Sequence, residues 1–530
     1  MKFSRGQASS GTSGRFPLAS DLPTEAGAAP AVELSAPRGQ KTGFARDVLS
    51  LVSGTTLAQL ITVAASPLTT RLFGPDAFGL YALFGSITTI LGVIVCLRYE
   101  ESIVLPDRNE EAASLLGVCL VFAFLISLLT VPIVWFGAGF VVRLLKAPAL
   151  GAVLWMVPLM LLVSGIALGF NYWNSRTRHF ARLSVARVSA TATSTGVQLT
   201  GGYIGHGTAV TLVASSLIGS TVSTAILGGQ ILRQDGHLFR RSMQWNAIWK
   251  GMIRHRKFPL YGTASSLLNS LSWQLPSLLL QYYFSATVVG LYALGNAVLR
   301  VPMGVIGGAI SQVFFQRAAG AHRAGTLAET VEGAFQRLAA LSLFPMMILT
   351  ILGPEIFAFF FGARWAEAGV YAQILAPWTF FWFISSPLSS VFSVLERQEF
   401  GLKLNPVILA TRFLSLAAGG WLHSARLALV FFAGSGVLVY GYYTFAILEA
   451  SGLRPSRIGR DLLRAVVEIL PAALVLSALK LLGAPAWLDV SAAAAFFLFY
   501  ALRVVRRDPV ILGFLKEMAI LRRLGFSDHA

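Results

Sequence analysis

Apolar stretches long enough to cross a bilayer recur fourteen times between Asp47 and Val505, separated by short polar connections. They run near 47–70, 77–97, 112–136, 150–172, 183–204, 208–232, 258–283, 287–316, 335–360, 367–395, 404–422, 427–448, 463–482 and 487–505. A hydrocarbon core about 30 Å thick takes roughly 20 apolar residues per helix, so fourteen helices use on the order of 280 residues of a chain of 530. The pattern predicts an all-α polytopic membrane protein. Composition agrees, at 55% hydrophobic and 12% charged residues with a mean hydropathy of +0.68. Soluble chains average about 25% charged residues, so most cytosolic enzymes are excluded.

A net charge of +18 would suit a nucleic-acid partner, but the charges follow the spans. Of 42 Lys and Arg, six fall on one side (Arg71, Arg143, Lys146, Arg364, Arg426, Lys480) and three lie inside helices (Arg187, Arg300, Arg412). The remaining thirty-three share a side with the N-terminus. Cationic loops stay in the cytoplasm, which places both termini there, as an even number of spans also requires. The basic balance is then a topology signal with some attraction to anionic lipid headgroups, and no nucleic-acid partner is expected.

The first unit, 1–46, is rich in Ser, Gly, Ala and Pro with little apolar periodicity and reads as a disordered cytoplasmic tail. No cleaved signal peptide is expected ahead of Asp47. Cys96 and Cys119 lie in or beside apolar spans without neighbouring His or Cys. They offer no ligand set and read as small buried hydrophobes, so no metal and no cofactor is expected.

Gly79-Leu80-Tyr81-Ala82-Leu83 recurs 211 residues later as Gly290-Leu291-Tyr292-Ala293-Leu294. Each copy opens the second helix of a six-helix set. A short turn precedes each (Phe73–Asp76 and Phe284–Thr287), and a proline (Pro67, Pro276) lies in the helix before it. Six is even, so the second set starts on the same face as the first. This makes the repeats parallel, and transporters built this way rock two lobes about a site at their interface. The expected units are an N-lobe at 47–232, a basic interlobe linker at 233–257, a C-lobe at 258–450, an extra helix pair at 451–508 and an amphipathic cytoplasmic tail at 509–530. In the linker, Trp245, Ile248, Trp249, Met252 and Ile253 recur at helical spacing among basic residues, which reads as a helix lying on the inner leaflet. Ile511, Leu512, Leu515, Met518, Ala519 and Leu521 suggest a second one.

The segment Ser66–Phe84, with Leu97-Arg98-Tyr99-Glu100 and Ile103-Val104-Leu105-Pro106, resembles the first hairpin of bacterial Wzx-type O-antigen and exopolysaccharide flippases. These belong to the multidrug/oligosaccharidyl-lipid/polysaccharide (MOP) exporter superfamily. The close likeness covers roughly residues 45–120; beyond it the likeness is one of architecture. It implies a bacterial inner-membrane protein that is not an enzyme. Its implied cargo is an undecaprenyl-diphosphate-linked oligosaccharide, turned from the cytoplasmic to the periplasmic leaflet by alternating access for O-antigen, capsule or exopolysaccharide synthesis. Implied partners are that lipid-linked oligosaccharide, membrane lipids, and a polysaccharide polymerase with chain-length proteins.

Such a cargo has an anionic, polar head and an apolar tail, and its head needs a hydrated cationic cavity. An ionisable side chain at membrane depth is expensive and reads as functional. Arg300 and Arg412 are the foremost candidates for contact with the diphosphate or with acidic sugars, because a guanidinium fork matches phosphate oxygens. Arg187 and Arg98, nearer helix ends, join them as cavity cations. The competing reading for all four is an interhelical bridge or snorkelling to the interface. Tyr99 and Glu100 are candidate gate residues, with a helix-end cap as the alternative. Gln59, Asn269, Gln274, Asn296 and Tyr292 are candidate sugar contacts, beside Asn171, Gln198, Gln281, Gln373 and Trp273. For any one of them, helix–helix hydrogen bonding is the favoured reading. The remaining aromatics are expected to face lipid or fill helix contacts.

Three rival functions weigh against this one. A cation-coupled multidrug exporter of the same superfamily is expected to carry buried carboxylates in its first lobe, and the mid-depth parts of the first six spans hold no Asp or Glu. A peptidoglycan lipid-linked precursor flippase fits fourteen spans but is less favoured by the first-hairpin motif. A membrane-embedded enzyme would need acidic metal ligands or a large external catalytic loop, and the non-cytoplasmic connections are too short for such a domain. Glu468 is the acidic residue that falls clearly within a span.

Overall fold

Each predicted span falls on one or two helical segments of the computed structural model, which describes residues 38–303 and 308–507; the span read at 287–316 includes residues outside that description. Residues 1–37 of the tail read at 1–46 and the amphipathic stretch after Pro509 lie outside the described residues, while 38–46, expected to be disordered, form the start of the first helix. The N-lobe consists of α1 (Arg38–Leu72), α2 (Pro75–Gly92), α3 (Asn109–Leu144), the single turn α4 (Gly151–Leu154), α5 (Val157–Arg176), α6 (Phe180–Tyr203) and α7 (Ala209–Ser242). The linker helix α8 (Trp245–Arg254) leads to the C-lobe: α9 (Thr263–Tyr283), α10 (Ala286–Pro302), α11 (Gly308–Ala324), α12 (Leu327–Phe361), α13 (Ala366–Leu388), α14 (Ser390–Val394), α15 (Gln398–Trp421) and α16 (Ala425–Ala450). The added pair is α17 (Pro455–Leu481) and α18 (Ala486–Arg507).

Local chemistry sets these ends. Pro75 and Pro455 stand in first turns, where a missing N–H costs nothing. The side chains of Thr208, Ser285 and Ser424 accept a hydrogen bond from the first-turn amides of α7, α10 and α16. Among the described residues, eight helical segments are both long and apolar enough to cross a membrane unaided. Others, such as α6 with its Ser189–Thr195 run of Ser, Thr and Ala, carry hydroxyl groups that dilute their hydropathy.

α2 stops at Gly92, short of the predicted 97, and a run of turns reaches a 3₁₀ segment at Tyr99–Val104. The β-branched run Val93-Ile94-Val95 is a weak helix former after Gly92. Leu97 and Arg98 then adopt left-handed φ values of 49° and 63°. α7 instead runs on to Ser242, into the stretch read as linker.

The repeat explains how the lobes meet. Gly79 and Gly290, equivalent glycines of the two copies, let α2 and α10 cross with their backbones in contact. A Cβ on Gly79 would lie 1.8 Å from the Ala286 carbonyl oxygen, and one on Gly290 would lie 1.9 Å from the Pro75 carbonyl oxygen. Pro75 and Ala286 are themselves separated by 211 residues, so the contact is made twice about a pseudo-twofold axis. Thr287 hydrogen-bonds its repeat partner Asp76 on that axis.

Further contacts close the same end. Arg364 donates to the Thr70 and Arg71 carbonyls at the C-terminus of α1, and the Trp365 indole N–H donates to the Thr70 carbonyl at 3.0 Å. These carbonyls have no partner within their own helix. Gln281 donates to the Leu145 carbonyl at 3.0 Å, and the Lys146 ammonium sits 5.0 Å from the Tyr282 ring centre.

α17 and α18 pack on α12 through Phe344, Ile348 and Leu352, which meet Ile469, Ala472, Leu476 and Ala493. α12 is kinked at Leu352, between Pro345 and Pro354. The carbonyls freed there accept from the Gln373 amide (2.6 Å to Thr350) and the Lys480 ammonium (2.6 Å to Ile351). Backbone groups released at membrane depth need such partners. Gln373, a candidate for sugar contact, is occupied with this repair.

Because Asp76 and Thr287 touch across the axis, the double substitution Asp76→Cys/Thr287→Cys should form a lobe-to-lobe disulfide under mild oxidant, read as a gel shift after cleavage in the linker. Adding Gly290→Leu should suppress it, since the larger side chain cannot keep the crossing; equal cross-linking in both backgrounds would contradict this packing.

Candidate functional site

The described cations at membrane depth divide by what surrounds them. Arg412, at the middle of α15, is 4% exposed. Its guanidinium donates to the Ser272 carbonyl (2.9 Å) and hydroxyl (3.0 Å) on α9 and to the Tyr440 hydroxyl (2.9 Å) on α16. It also stacks 4.4 Å from the Trp273 ring centre. Arg412 therefore pins three C-lobe helices together.

Arg300 is different. It lies about 21 Å along α10 from that helix's first residue at the standard rise of about 1.5 Å per residue, and it is exposed. Its guanidinium is held between two indoles, 5.0 Å from Trp273 on α9 and 5.2 Å from Trp382 on α13. Among the described residues no carboxylate meets it. Aromatic faces attract a cation without cancelling its charge or consuming its donors, so the N–H groups of Arg300 stay available to an incoming anion.

The two arginines share one aromatic assembly. Trp273 lies between them and meets Trp382 edge-on at 5.5 Å; Trp382 stacks on Trp378 at 6.5 Å, and Trp378 meets Tyr440 at 6.2 Å. Tyr440 returns to Arg412. Tyr292, from the second repeat copy, is buried beside this group. Trp378, Trp382 and Tyr440 were passed over in sequence reasoning as generic aromatics. The available signal was the i, i+4 spacing of the two tryptophans on α13, which puts them on one face.

The other candidates are dispersed. Arg187 is exposed on α6 and donates to the Thr55 hydroxyl of α1 at 2.5 Å. Arg98 is paired with Glu101 and lies 3.8 Å from Glu100, at the connection after the second span. There the Tyr99 hydroxyl donates to the Met252 carbonyl of α8 at 3.0 Å, and its ring stacks on Phe122 at 5.6 Å. α8 is fastened to the same corner by the Arg254–Glu111 ion pair, while Trp245, Trp249 and Ile253 line its exposed side. Among the sugar candidates, Gln59 and Asn296 are half-buried and Asn269 is exposed. Gln274 accepts from Ser86 of α2 at 3.1 Å, linking the lobes.

Glu100 is 2% exposed, and its Oε2 has no hydrogen-bond partner among the described residues. Burial pushes its carboxyl above the usual range, outweighing the backbone hydrogen bond and Arg98, which favour the charged form.

Two outcomes follow from these surroundings. Arg412→Ala should cost about 1–3 kcal/mol of stability and lower the thermal midpoint in detergent, whereas Arg300→Ala should leave it near wild type; the reverse order would refute the division of roles. With its folded-state pKa raised, the stability Glu100 contributes is fully present below the pKa of the unfolded chain and is lost as pH rises through the folded-state value. Glu100→Gln, which mimics the protonated form, should therefore raise the midpoint at pH 8 and not at pH 4, and a gain independent of pH would contradict the assignment.

A family model described as polysaccharide biosynthesis protein matches residues 68–369, more than half of the chain. Among solved structures the fold is similar to the lipid II flippase MurJ in an inward closed conformation, with a TM-score of 0.70 and 11% identity over 86% of this chain and 98% of that one. It is also similar to the inward-facing conformation of a multidrug resistance MATE family transporter of the MOP superfamily, with a TM-score of 0.60 and 12% identity over 74% of this chain and 95% of that one. No curated protein matches the sequence. With two six-helix lobes, an added helix pair and a family match across the lobe interface, this multi-pass membrane chain belongs to the polysaccharide biosynthesis protein family, with a fold similar to those of the two solved structures.

Proposed function

We propose that the protein turns a polyprenyl-diphosphate-linked oligosaccharide from the cytoplasmic to the periplasmic leaflet of the bacterial inner membrane by alternating access, with both termini in the cytoplasm. One observation carries this reading: Arg300, exposed at membrane depth, is presented by Trp273 and Trp382 with no carboxylate against it among the described residues. A diphosphate supplies the anionic oxygens that a guanidinium fork accommodates, and the indole faces that hold the cation also suit sugar rings. Arg412 acts one step behind, orienting Trp273 from the α9–α15–α16 junction.

The lobes are closed at the end bearing Asp76 and Thr287, which the distribution of Lys and Arg assigns to the periplasm. That state suits loading from the cytoplasmic leaflet. Rocking about the Gly79–Gly290 crossing exchanges the open end. During the exchange the polyprenyl tail stays in hydrocarbon while the head passes between the lobes, and α17 and α18 are the proposed border of the tail's path.

Arg300→Gln should abolish surface polysaccharide and cause lipid-linked repeat units to accumulate on the cytoplasmic side, with membrane abundance unchanged. Lipid extraction with glycan labelling and an immunoblot measure both. Wild-type export by Arg300→Gln at normal abundance would end this reading.

A further inference from the structure

The N-lobe carries a cavity of about 410 Å³ that the arginine cluster does not touch. Residues of α2, α5, α6 and α7 line it, among them the hydroxyls of Tyr81, Thr88, Thr191, Ser194, Ser216 and Ser220. Among the described residues, no charged group and no amide side chain lines it. Tyr81 and Ser216 hydrogen-bond each other at 2.8 Å, and Thr88 and Ser194 donate to carbonyls of their own helices. Each of these oxygens keeps lone pairs free to accept. Its volume falls in the range of about 300–1,000 Å³ typical of small-molecule sites.

The internal repeat fixes its depth. At the offset of 211 residues, Tyr81 corresponds to Tyr292 and Thr89, next to the cavity's Thr88, corresponds to Arg300. The cavity therefore lies in the N-lobe at the depth at which Arg300 stands in the C-lobe. In the C-lobe the equivalent face is filled: Tyr292 is 5% exposed and Leu299 0%. In the N-lobe it is left open and lined with hydroxyls.

We infer that the N-lobe cavity is a receptor for an uncharged sugar of the cargo, so that recognition is divided between the lobes: diphosphate on Arg300 in the C-lobe, neutral pyranose hydroxyls in the N-lobe. This rests on the flippase reading. A charged sugar would be desolvated there without a partner, whereas a neutral one exchanges its water hydrogen bonds for those of the lining groups.

Gly85 provides the test, because it lines the cavity and a Cβ built on it meets nothing within 4 Å. Gly85→Leu should fill the space without disturbing the helix. Gly92, on the same helix with equally open surroundings and outside the lining, supplies the control Gly92→Leu. The full-length purified protein is titrated with two probes, polyprenyl diphosphate and the same lipid bearing a neutral disaccharide, following tryptophan fluorescence. Wild type and Gly92→Leu should bind the glycosylated probe at least tenfold more tightly than the bare one. Gly85→Leu should bring the two probes within twofold of each other, and the volume-conserving Thr191→Val should reduce the preference about threefold. Arg300→Gln should weaken both probes by the same factor.

A tenfold preference retained by Gly85→Leu, its absence from wild type, or its loss in Gly92→Leu would each overturn the sugar assignment while leaving diphosphate binding intact. Thermal stabilisation of wild type by Na⁺ alone, lost in Gly85→Leu, would overturn it in favour of a cation site. Failure of wild type to bind either probe would instead remove the flippase reading beneath it.

Discussion

A positive charge held at membrane depth must be compensated without being extinguished, and the C-lobe meets that demand with aromatic faces. Trp273 and Trp382 embrace the Arg300 guanidinium at about 5 Å, and the quadrupole of an indole stabilises a cation while leaving its N–H donors unspent. A carboxylate in the same place would form a closed ion pair with nothing left to offer an anionic ligand. The neighbouring Arg412 illustrates the contrast. Enclosed by Ser272 and Tyr440, it has become part of the framework that keeps Trp273 in place.

Around this group, the duplicated architecture is symmetric where the lobes pivot and asymmetric where a ligand would be read. Gly79 and Gly290 present matching bare backbones, and Asp76 meets its own repeat partner Thr287. Both features sit at the closed end, where a pseudo-twofold contact can be made and broken as a unit. Deeper in, the copies diverge. The second carries Arg300 where the first has Thr89, and the face that Tyr292 and Leu299 fill in the second is a hydroxyl-lined space in the first. A passenger with a charged and an uncharged portion is matched by such a division, whereas two identical half-sites would recognise only one chemistry.

The added helices behave as membrane-embedded companions of α12. Their buried contact is a short apolar seam with Phe344 stacked on Tyr500 at 4.5 Å, and Glu468, the acidic residue that stood out within a span, is met by Arg503 at 2.8 Å. That pairing lets a carboxylate reside in an apolar helix.

Helix number and lobe duplication were legible in the residues alone, because long apolar runs, set by the thickness of hydrocarbon, and the Gly-Leu-Tyr-Ala-Leu repeat are local patterns. The left-handed turn at Leu97 and Arg98 beyond α2 was not, since neither residue type favours that conformation by itself. Nor was the difference between Arg300 and Arg412. Both are single arginines in apolar helices, and only the approach of α9, α13 and α16 makes one an open cation and the other a buried tether. Tertiary structure alone decided which tryptophans became ligands to an arginine and which hydroxyls came to surround a cavity, because such contacts join residues far apart in the chain, and spacing along one helix carries no record of what faces it.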